Sequence, residues 1–454
     1  MTNDEGVMKR RGMPAEAGIG LVLLALAVFF SVASVREQPS TGAAAAAEVV
    51  KRISDESGKG AKVLIVAGAQ PDAAAFAGAV EAGLKEAGCA VVAKVTGEPR
   101  EARLALGRLA ARGEPVDAIA VSGLASGWLV FAAVKDDFPV LGDPGLVAPL
   151  RRRASSFLKP DNLLNIANQI AVIAIMAIGM TLVILTGGID LSAGSLLALA
   201  AVTAALLIRE AAGAELAGPG GMILACLGAI ALCGAVGWVT GLFVTRARIA
   251  PFIVTLAVML IGSGTAYRIT SGESVHQIPE SFIWLGRGAD FFGIPNAVVL
   301  MFVLYGLAHL MMTRMVIGRH LHAVGGNRAA AKLSGIPVER VIVFAYVMSA
   351  LLAGLGGVVM ASQLKSGSPT YGEMYELYVI AAVVVGGTSL SGGRGSMIGT
   401  LVGAFIIAVI QNGMNLMEVE SYSQKIVLGT IILGAVWADR TRRSEGGAES
   451  WRSS

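Results

Sequence analysis

The strongest constraint on the fold is an apolar run, residues 171–196, which is broken at Thr186-Gly187-Gly188 and then carries a carboxylate, Asp190. A carboxylate between apolar helices is costly in lipid, so it normally faces a bundle interior or an aqueous path. Two adjacent glycines permit an unwound backbone, which a bilayer tolerates only where protein or a cavity covers it. The run therefore predicts a membrane helix that stops and restarts inside a helical bundle.

Composition indicates a chain that lies largely in membrane lipid. Hydrophobic residues make up 55% of the 454 residues and charged residues 15%, and the mean hydropathy is +0.69, which is outside the soluble range. Basic residues lie in short clusters between apolar runs and are interpreted as topology determinants, so no nucleic acid partner is expected. Cys89, Cys226 and Cys233 show neither metal-ligand spacing nor a disulfide framework.

Apolar windows of about twenty residues predict an all-α polytopic membrane protein with about ten transmembrane helices, some of them broken or half-length. The predicted spans lie at 17–35, 163–186, 191–209, 220–244, 251–269, 295–313, 341–361, 376–390, 396–416 and 424–438. The first run is somewhat long for a signal peptide and is interpreted as an uncleaved span. Lysine and arginine concentrate in alternate loops, which predicts that both termini, including a tail at 441–454, are cytoplasmic.

Residues 36–154 differ from the rest of the chain. After an alanine-rich linker they alternate predicted strands and helices: strands at 62–68, 90–96 and 118–122, helices at 71–88 and 99–112, then a helix through Trp128 and a short strand at 139–142. The second helix carries Leu104, Leu106 and Leu109. Such alternation indicates βαβ units, so a small α/β domain with a parallel sheet is predicted as an insertion on the exterior face.

A polar segment, 318–340, lies between two spans and is predicted to be cytoplasmic. Asn327 can cap a short helix over 328–333, which Gly335 would end. The small side chains Ala329, Ala330 and Ala331 could seat in a groove of a cytoplasmic partner, and a plain structured loop is the alternative.

The polar residues of the predicted spans each allow two interpretations. Asp190 lines a cavity or caps the next helix at Ser192–Ser195. Glu376 is solvated at the exterior mouth or contacts a docked protein, and Phe252 stacks on a ligand or packs. Asn412 is more typical of a hydrogen bond between helices than of substrate binding. The candidate path residues are Gly187, Gly188, Asp190, Ser192, Phe252, Thr255, Glu376, Gly387, Thr388 and Asn412.

Four stretches resemble the membrane-spanning permease of ribose/xylose-type ABC sugar importers. They are GMTLVILTGGIDLSAGS (179–195), APFIVTLAVMLIGSGTAY (250–267), AVGGNRAAAKLSGIPVER (323–340) and YELYVIAAVVVGGTSLSGGRGSMIGTLVGA (375–404). The resemblance covers about 17–35 and 155–440 and implies a permease of the bacterial inner membrane that takes up a monosaccharide. It also implies three partners: a second permease copy or paralogue, a cytoplasmic ABC ATPase subunit and a periplasmic sugar-binding protein.

The same resemblance implies that 318–340 is the segment that contacts the ATPase. The candidate coupling residues are Gly325, Gly326, Asn327, Ala329, Ala330, Ser334 and Gly335. ATP with magnesium would be hydrolysed by the partner subunit, so the permease itself is not an enzyme and binds no cofactor or metal. Leu390–Arg394 looks like the signature loop of an ABC ATPase, but the sequence has no phosphate loop, so this stretch is interpreted as a glycine-rich turn.

Two features depart from the family pattern. Tyr378 follows Glu376-Leu377, where the family commonly has an acidic residue, so a sugar preference cannot be transferred from kin. The insertion itself resembles one lobe of a periplasmic sugar-binding protein, in KVLIVAGAQPDAAAFAGAVEAGL and PVDAIAVSG. In such a fold Gly68, Ala69 and Gln70 would contact a ligand, although a single lobe lacks the partner lobe that closes over a sugar.

A transmembrane sensor is the alternative function. Its exterior lobe would detect a sugar or a loaded binding protein, and the bundle would no longer transport. A sensor predicts a decayed coupling segment or a cytoplasmic output domain, whereas the segment 318–340 looks intact.

Overall fold

The computed structural model describes residues 15–40, 42–69 and 71–452; Gln70 and the last two residues of the predicted tail lie outside the described residues. The helices are α1 (Ala15–Ala33), α2 (Gly42–Ser57), α3 (Pro71–Glu86), α4 (Pro99–Ala111), α5 (Val134–Asp137), α6 (Pro160–Leu185), α7 (Ala193–Glu210), α8 (Pro219–Thr245), α9 (Pro251–Thr270), α10 (Trp284–Arg287), α11 (Asn296–Arg314), α12 (Val316–Gly326), α13 (Arg328–Leu333), α14 (Val338–Leu364), α15 (Tyr375–Val385), α16 (Met397–Leu416) and α17 (Ser421–Arg452). The strands are β1 (Val35–Pro39), β2 (Lys62–Ala67), β3 (Ala90–Thr96), β4 (Ala118–Val121), β5 (Gly145–Val147) and β6 (Arg151–Ser155).

The chain divides into two compact units. The helical unit contains the chain up to Ser34 and from Phe157 onward, and the α/β unit is Val35–Ser156. Within the described residues, seven helices are long and apolar enough to cross a membrane: α6, α7, α8, α9, α11, α14 and α16. The chain is therefore a multi-pass membrane protein.

Three of the predicted spans do not reach the length or hydropathy of these seven. The apolar part of α1, Ala17–Ala33, and the whole of α15 are shorter apolar helices. At 11 residues, α15 is about 16 Å long, roughly half of the hydrocarbon core. It ends because Gly386 and Gly387 follow, the second with a φ of +85°. The spans predicted at 17–35, 376–390 and 424–438 stay predictions.

Helix α6 lies at the centre of the helical unit. Its most apolar window is 89% buried, compared with 28% for α8 and 22% for α9. The helices α11, α14, α15 and α16 all pack against it. The outer helices α8 and α9 therefore carry the surface that faces lipid or another subunit.

Glycines allow α8 to pack closely against α14. A Cβ atom on Gly237 would lie 2.5 Å from the Cβ of Ala350 and 2.6 Å from the carbonyl oxygen of Tyr346. A Cβ on Gly241 would lie 2.8 Å from the Cα of Val343. Small residues at such crossings let two helix backbones approach. Because α14 also packs against α6 and α7, this crossing fixes the region where α6 ends.

The α/β unit is built on a four-stranded parallel sheet in the order β3-β2-β4-β5. The central strand β2 is buried on both faces: Val63 and Ile65 pack in a cluster with α2 and α3, and Leu64 and Val66 pack in a cluster with α4. Helices on both faces are typical of parallel sheets. The strands β1 and β6 form a separate antiparallel ribbon in which Val35 pairs with Ser155 and Pro39 with Arg151.

Two of the secondary-structure predictions for this unit were wrong at the start and near the end. The alanine-rich stretch 43–47 is not a linker but the first half of α2, because alanine favours a helix and Ala45 and Ala46 are buried. The strand predicted at 139–142 is a 3-10 turn, Pro139–Leu141, because the proline ring fixes a helical φ. The fourth strand is β5.

Two further details after β3 differ from the prediction. The helix predicted through Trp128 is replaced by two 3-10 turns, Ala125–Gly127 and Leu129–Phe131. On α4, Leu106 and Leu109 are buried but Leu104 is 50% exposed. Leu104 lies two residues before Leu106, about 200° around the helix, so these two side chains cannot share a face.

We expect Gly237→Val to destabilise the helical unit by about 1–3 kcal/mol, because the added side chain overpacks the α8–α14 crossing. Gly306→Val is the matched control, since a Cβ at Gly306 on α11 meets nothing within 4 Å. Thermal unfolding of the purified protein in detergent measures both variants. Equal unfolding temperatures for the two variants would contradict the close crossing.

Candidate functional site

The break predicted at Thr186-Gly187-Gly188 is present. Helix α6 ends at Leu185 and α7 begins at Ala193. Gly187 has a φ of +75°, a backbone conformation that glycine adopts without strain. Gly188 lies beside the hydroxyl group of Tyr346, whose oxygen would be 2.5 Å from a Cβ atom there. The residues from 186 to 192, called the helix break below, are thus irregular backbone in which Thr186, Gly188, Asp190 and Ser192 are buried and Gly187 is exposed.

Asp190 joins three parts of the helical unit. Its side chain is buried, with 2% exposed. The Oδ1 atom accepts hydrogen bonds from the backbone N–H of Ser192 at 3.0 Å and from its hydroxyl at 2.6 Å. The Oδ2 atom accepts one from the hydroxyl of Ser349 on α14 at 2.7 Å. Of the two interpretations of Asp190, this geometry favours a carboxylate that caps the start of α7 and ties it to α14.

The first turn of α9 contacts the same helix break. Thr255 is fully buried, and its hydroxyl lies 3.0 Å from the carbonyl oxygen of Pro251 and 3.2 Å from that of Ile189. Phe252, in the same turn, is 52% exposed and points away from the break. Four of the predicted path residues therefore lie in the helix break: Gly187, Gly188, Asp190 and Ser192. A fifth, Thr255, contacts it from α9.

The predicted coupling segment contains the short helix α13. The Asn327 side chain accepts a hydrogen bond from the backbone N–H of Ala330 at 3.0 Å, and Gly335 follows the helix with a φ of +81°. Ala331 faces the core. Most of the predicted coupling residues are exposed: Gly326, Asn327, Ala329, Ala330, Ser334 and Gly335. Leu333, which the sequence analysis did not select, is 91% exposed beside them.

The coupling segment is attached to the end of α6. The guanidinium group of Arg328 donates a hydrogen bond to the carbonyl oxygen of Thr186 at 2.8 Å. Gly325 faces inward, because a Cβ there would collide with the carbonyl oxygen of Leu185 and the backbone nitrogen of Gly393. The Gly393 N–H in turn donates to Leu185 O at 2.9 Å. The stretch Leu390–Arg394 is thus a turn packed between the coupling segment and the helix break.

The remaining predicted path residues lie elsewhere. Glu376 lines a cavity of about 330 Å³ together with Ser195 on α7 and Ser263 on α9. Thr388 is buried in the loop after Gly387, and its hydroxyl has no hydrogen-bond partner among the described residues. The path residues predicted as one set therefore occupy separate places.

Asn412 on α16 pairs with Asn162 on α6. Each side-chain amide donates a hydrogen bond to the other's carbonyl oxygen, at 2.9 and 3.1 Å. The pair joins two helices, as the sequence favoured for this residue.

Among the described residues no three metal-ligating side chains lie together.

Sequence reasoning missed Ser349 and the role of Arg328. Ser349 is 159 positions from Asp190 in the chain, so no local motif connects the two. A hydroxyl group within an apolar span could have pointed to Ser349. Ser362 on the same helix has the same feature, however, and it donates its hydrogen bond to Phe282 O. Arg328 was read only as the first residue of a short helix, whereas its side chain reaches the helix break.

We expect Asp190→Ala to lower stability by about 1–3 kcal/mol, because it leaves buried donors of Ser192 and Ser349 without an acceptor. Ser349→Ala removes a single donor and should cost less, and the double variant should cost less than the sum of the two. Asp190→Asn, which keeps one acceptor oxygen, is the matched control. Thermal unfolding in detergent measures all four. Unchanged stability of Asp190→Ala with a loss of transport would instead identify Asp190 as a path residue.

Most of the helical unit is similar to known membrane permeases. A family described as "branched-chain amino acid transport system / permease component" matches residues 162–436. The ribose import permease of Escherichia coli K12 is 42% identical over 302 residues, which cover 66% of this chain and 91% of the relative. The ribose import permease of Bacillus subtilis 168 is 43% identical over 289 residues, covering 63% and 87%. The D-allose transport system permease of Escherichia coli K12 is 35% identical over 284 residues, covering 63% and 85%.

No solved structure matches the chain. The family match covers more than half of the chain, and it includes the helix break, the coupling segment and the cavity beside Glu376. The chain therefore belongs to this family of membrane permeases of ABC importers.

Proposed function

We propose that this chain is the membrane permease subunit of an ABC importer that moves a monosaccharide, ribose-like in size, across the inner membrane. The observation that carries the proposal is the hydrogen bond between Arg328 and the carbonyl oxygen of Thr186. It connects an exposed helix, which a partner can push, to the helix break at the end of α6. A sensor that had lost transport would have no need to keep this connection.

We infer that transport proceeds by alternating access, and the contacts of the helix break support this proposal. ATP-driven closure of two partner ATPase subunits would press on α13, and the Arg328 guanidinium would pass the displacement to the end of α6. Asp190 holds α7 and α14 to the same point through Ser192 and Ser349. The three helices would therefore shift together, because packed elements move between discrete arrangements and do not deform continuously. ATP is hydrolysed on the partner, and this chain binds no cofactor.

A neutral sugar is the substrate that the relatives support. The similar permeases carry the names ribose and D-allose. Sugars of this class are uncharged, so the path needs hydrogen-bonding groups and no fixed counter-charge. A periplasmic binding protein would deliver the sugar, and a second permease copy or paralogue would complete the importer.

The α/β unit is proposed to lie on the exterior face. This follows from a cytoplasmic N-terminus, since a single span, α1, precedes the unit. The family match begins at residue 162, after the unit ends. The ribbon β1–β6 brings the first and last residues of the α/β unit together, as in domains inserted into a loop of another fold. We propose that it interacts with the binding protein and is not part of the translocation path.

A bulky residue on the exposed face of α13 should uncouple the ATPase. In Ala330→Trp the large ring would occupy the surface where the partner seats, so we expect binding of the ATPase to weaken about tenfold or more, equivalent to about 1.4 kcal/mol. Ala330→Ser is the control, because it alters the same position with little change in size. Co-purification of the ATPase and ATP-dependent uptake measure the effect. Normal uptake by Ala330→Trp would place the ATPase contact elsewhere.

Uptake into proteoliposomes tests the function itself. The permease, its ATPase and its binding protein are reconstituted, and radiolabelled ribose, allose, arabinose and xylose are supplied with and without ATP. We expect ATP-dependent accumulation of at least one sugar. If none accumulates while the ATPase binds and responds to a ligand of the α/β unit, the sensor is the better description.

The same assay tests the α/β unit. Because Pro39 pairs with Arg151 across an antiparallel ribbon, residues 40–150 can be replaced by a two-residue Asn-Gly turn without moving the ribbon ends. We expect the shortened permease to fold and to retain uptake when loaded binding protein is saturating, with a higher requirement for binding protein. Loss of uptake at saturation, in a variant that still binds the ATPase, would assign the unit a direct part in translocation.

A further inference from the structure

A second cavity, of about 390 Å³, lies between α6, α14, α15 and α16. Its volume is within the range of small-molecule sites, about 300–1,000 Å³. None of its lining residues carries a charge, whereas Glu373 and Glu376 both line the other cavity. No predicted path residue lines this second cavity, which we call the glutamine cavity.

Two of the three glutamines that line the glutamine cavity can bind a ligand. Gln169 on α6 and Gln411 on α16 both line it. Neither forms a side-chain hydrogen bond with any residue that the structure describes. Gln363, in contrast, donates to the carbonyl oxygen of Asn168 at 3.0 Å. Gln169 is exposed and Gln411 is half-buried, so a polar ligand in the cavity can reach both carboxamides.

The chemistry of the lining matches a polyol. A carboxamide offers two donors and an acceptor, and a sugar hydroxyl both donates and accepts, so the two pair in either sense. The rings of Tyr375 and Tyr378 meet edge to face at 6.2 Å, and both line the cavity. Their hydroxyl groups add further donors and acceptors. The apolar side chains of Ile170, Ile173 and Met360 also line the cavity, and such a surface suits the C–H face of a sugar ring.

We propose that the glutamine cavity binds the monosaccharide during its passage, with Gln169 and Gln411 as hydrogen-bond contacts and Tyr378 as a residue that sets sugar preference. This rests on the proposed transport function. The cavity lies near the first half of α6 and the end of α14, at the end of the bundle that the proposed topology places outside. It is therefore the part of the path that a sugar reaches soon after release from the binding protein.

Substitution by methionine tests the contacts, because it keeps the length of glutamine and removes its hydrogen-bonding groups. In the reconstituted importer we expect Gln169→Met and Gln411→Met each to lower the maximal rate of sugar uptake about three- to tenfold, the effect of losing one hydrogen bond or two. The ATPase rate stimulated by loaded binding protein should stay unchanged. Tyr378→Phe should alter the ratio of ribose to allose uptake.

The matched control is Ile410→Met, which places the same side chain next to Gln411 on a position that does not line the cavity. Uptake by both glutamine variants equal to that of the unsubstituted protein, with the same sugar preference, would overturn the proposal. A parallel fall in uptake and ATPase rate in Gln411→Met and Ile410→Met would also overturn it, because the effect would then be on packing.

A binding measurement separates failure of the site from failure of the function. In Gln411→Cys, labelling by a maleimide should be slowed at least threefold by ribose or allose at high concentration, while labelling of Leu224→Cys on the exposed face of α8 should not change. Protection without uptake would reject the transport proposal and keep the sugar site. Uptake without protection, or protection by added lipid and not by sugar, would reject the sugar site and keep transport.

Discussion

The last carbonyl groups of α6 need hydrogen-bond donors from outside the helix, and the rest of the helical unit depends on this constraint. A helix leaves its final carbonyls without intrahelical partners, and each unsatisfied group in a bilayer costs several kcal/mol. Here the turn at 186–188 folds back onto the carbonyls of Leu182, Val183 and Ile184. Leu185 O and Thr186 O are instead bonded by Gly393 N and by Arg328. Two distant segments therefore complete the end of α6.

This requirement explains why the exposed coupling segment is attached to the end of α6. The donors that complete the end of α6 come from the coupling segment and from the glycine-rich turn at 390–394, so neither can move far without leaving a carbonyl unpaired. On the other side of the break, Asp190 joins α7 to α14. A displacement of α13 must then either move the helix break with it or leave buried polar groups without hydrogen-bond partners, which costs free energy. The first outcome is the one that the proposed transport requires.

Sequence reasoning succeeded where the physics is local. The helix break at Gly187-Gly188 and the cap formed by Asn327 depend on residues a few positions apart. It failed for contacts between residues far apart in the chain. The packing of α14 brings Ser349 to Asp190, and the exposed residue Arg328 donates a hydrogen bond to Thr186 O. The 3-10 turn at Pro139–Leu141 and the helix at 43–47 show the same limit, since an alanine run can be either a linker or a buried helix until the sheet is known.

The two cavities differ in a way that bears on the departure at Tyr378. Glu376 and Tyr378 are two residues apart at the start of α15, so they point to different sides of a helix, and each lines a different cavity. A carboxylate at Tyr378 would place a charge in a cavity lined by neutral groups, whereas the phenol leaves the cavity uncharged and adds one hydroxyl. The change therefore alters the hydrogen-bonding pattern offered to an uncharged ligand without touching the helix break or the coupling segment. Under the proposed function, the substitution would change sugar preference and leave the contacts of the helix break as they are.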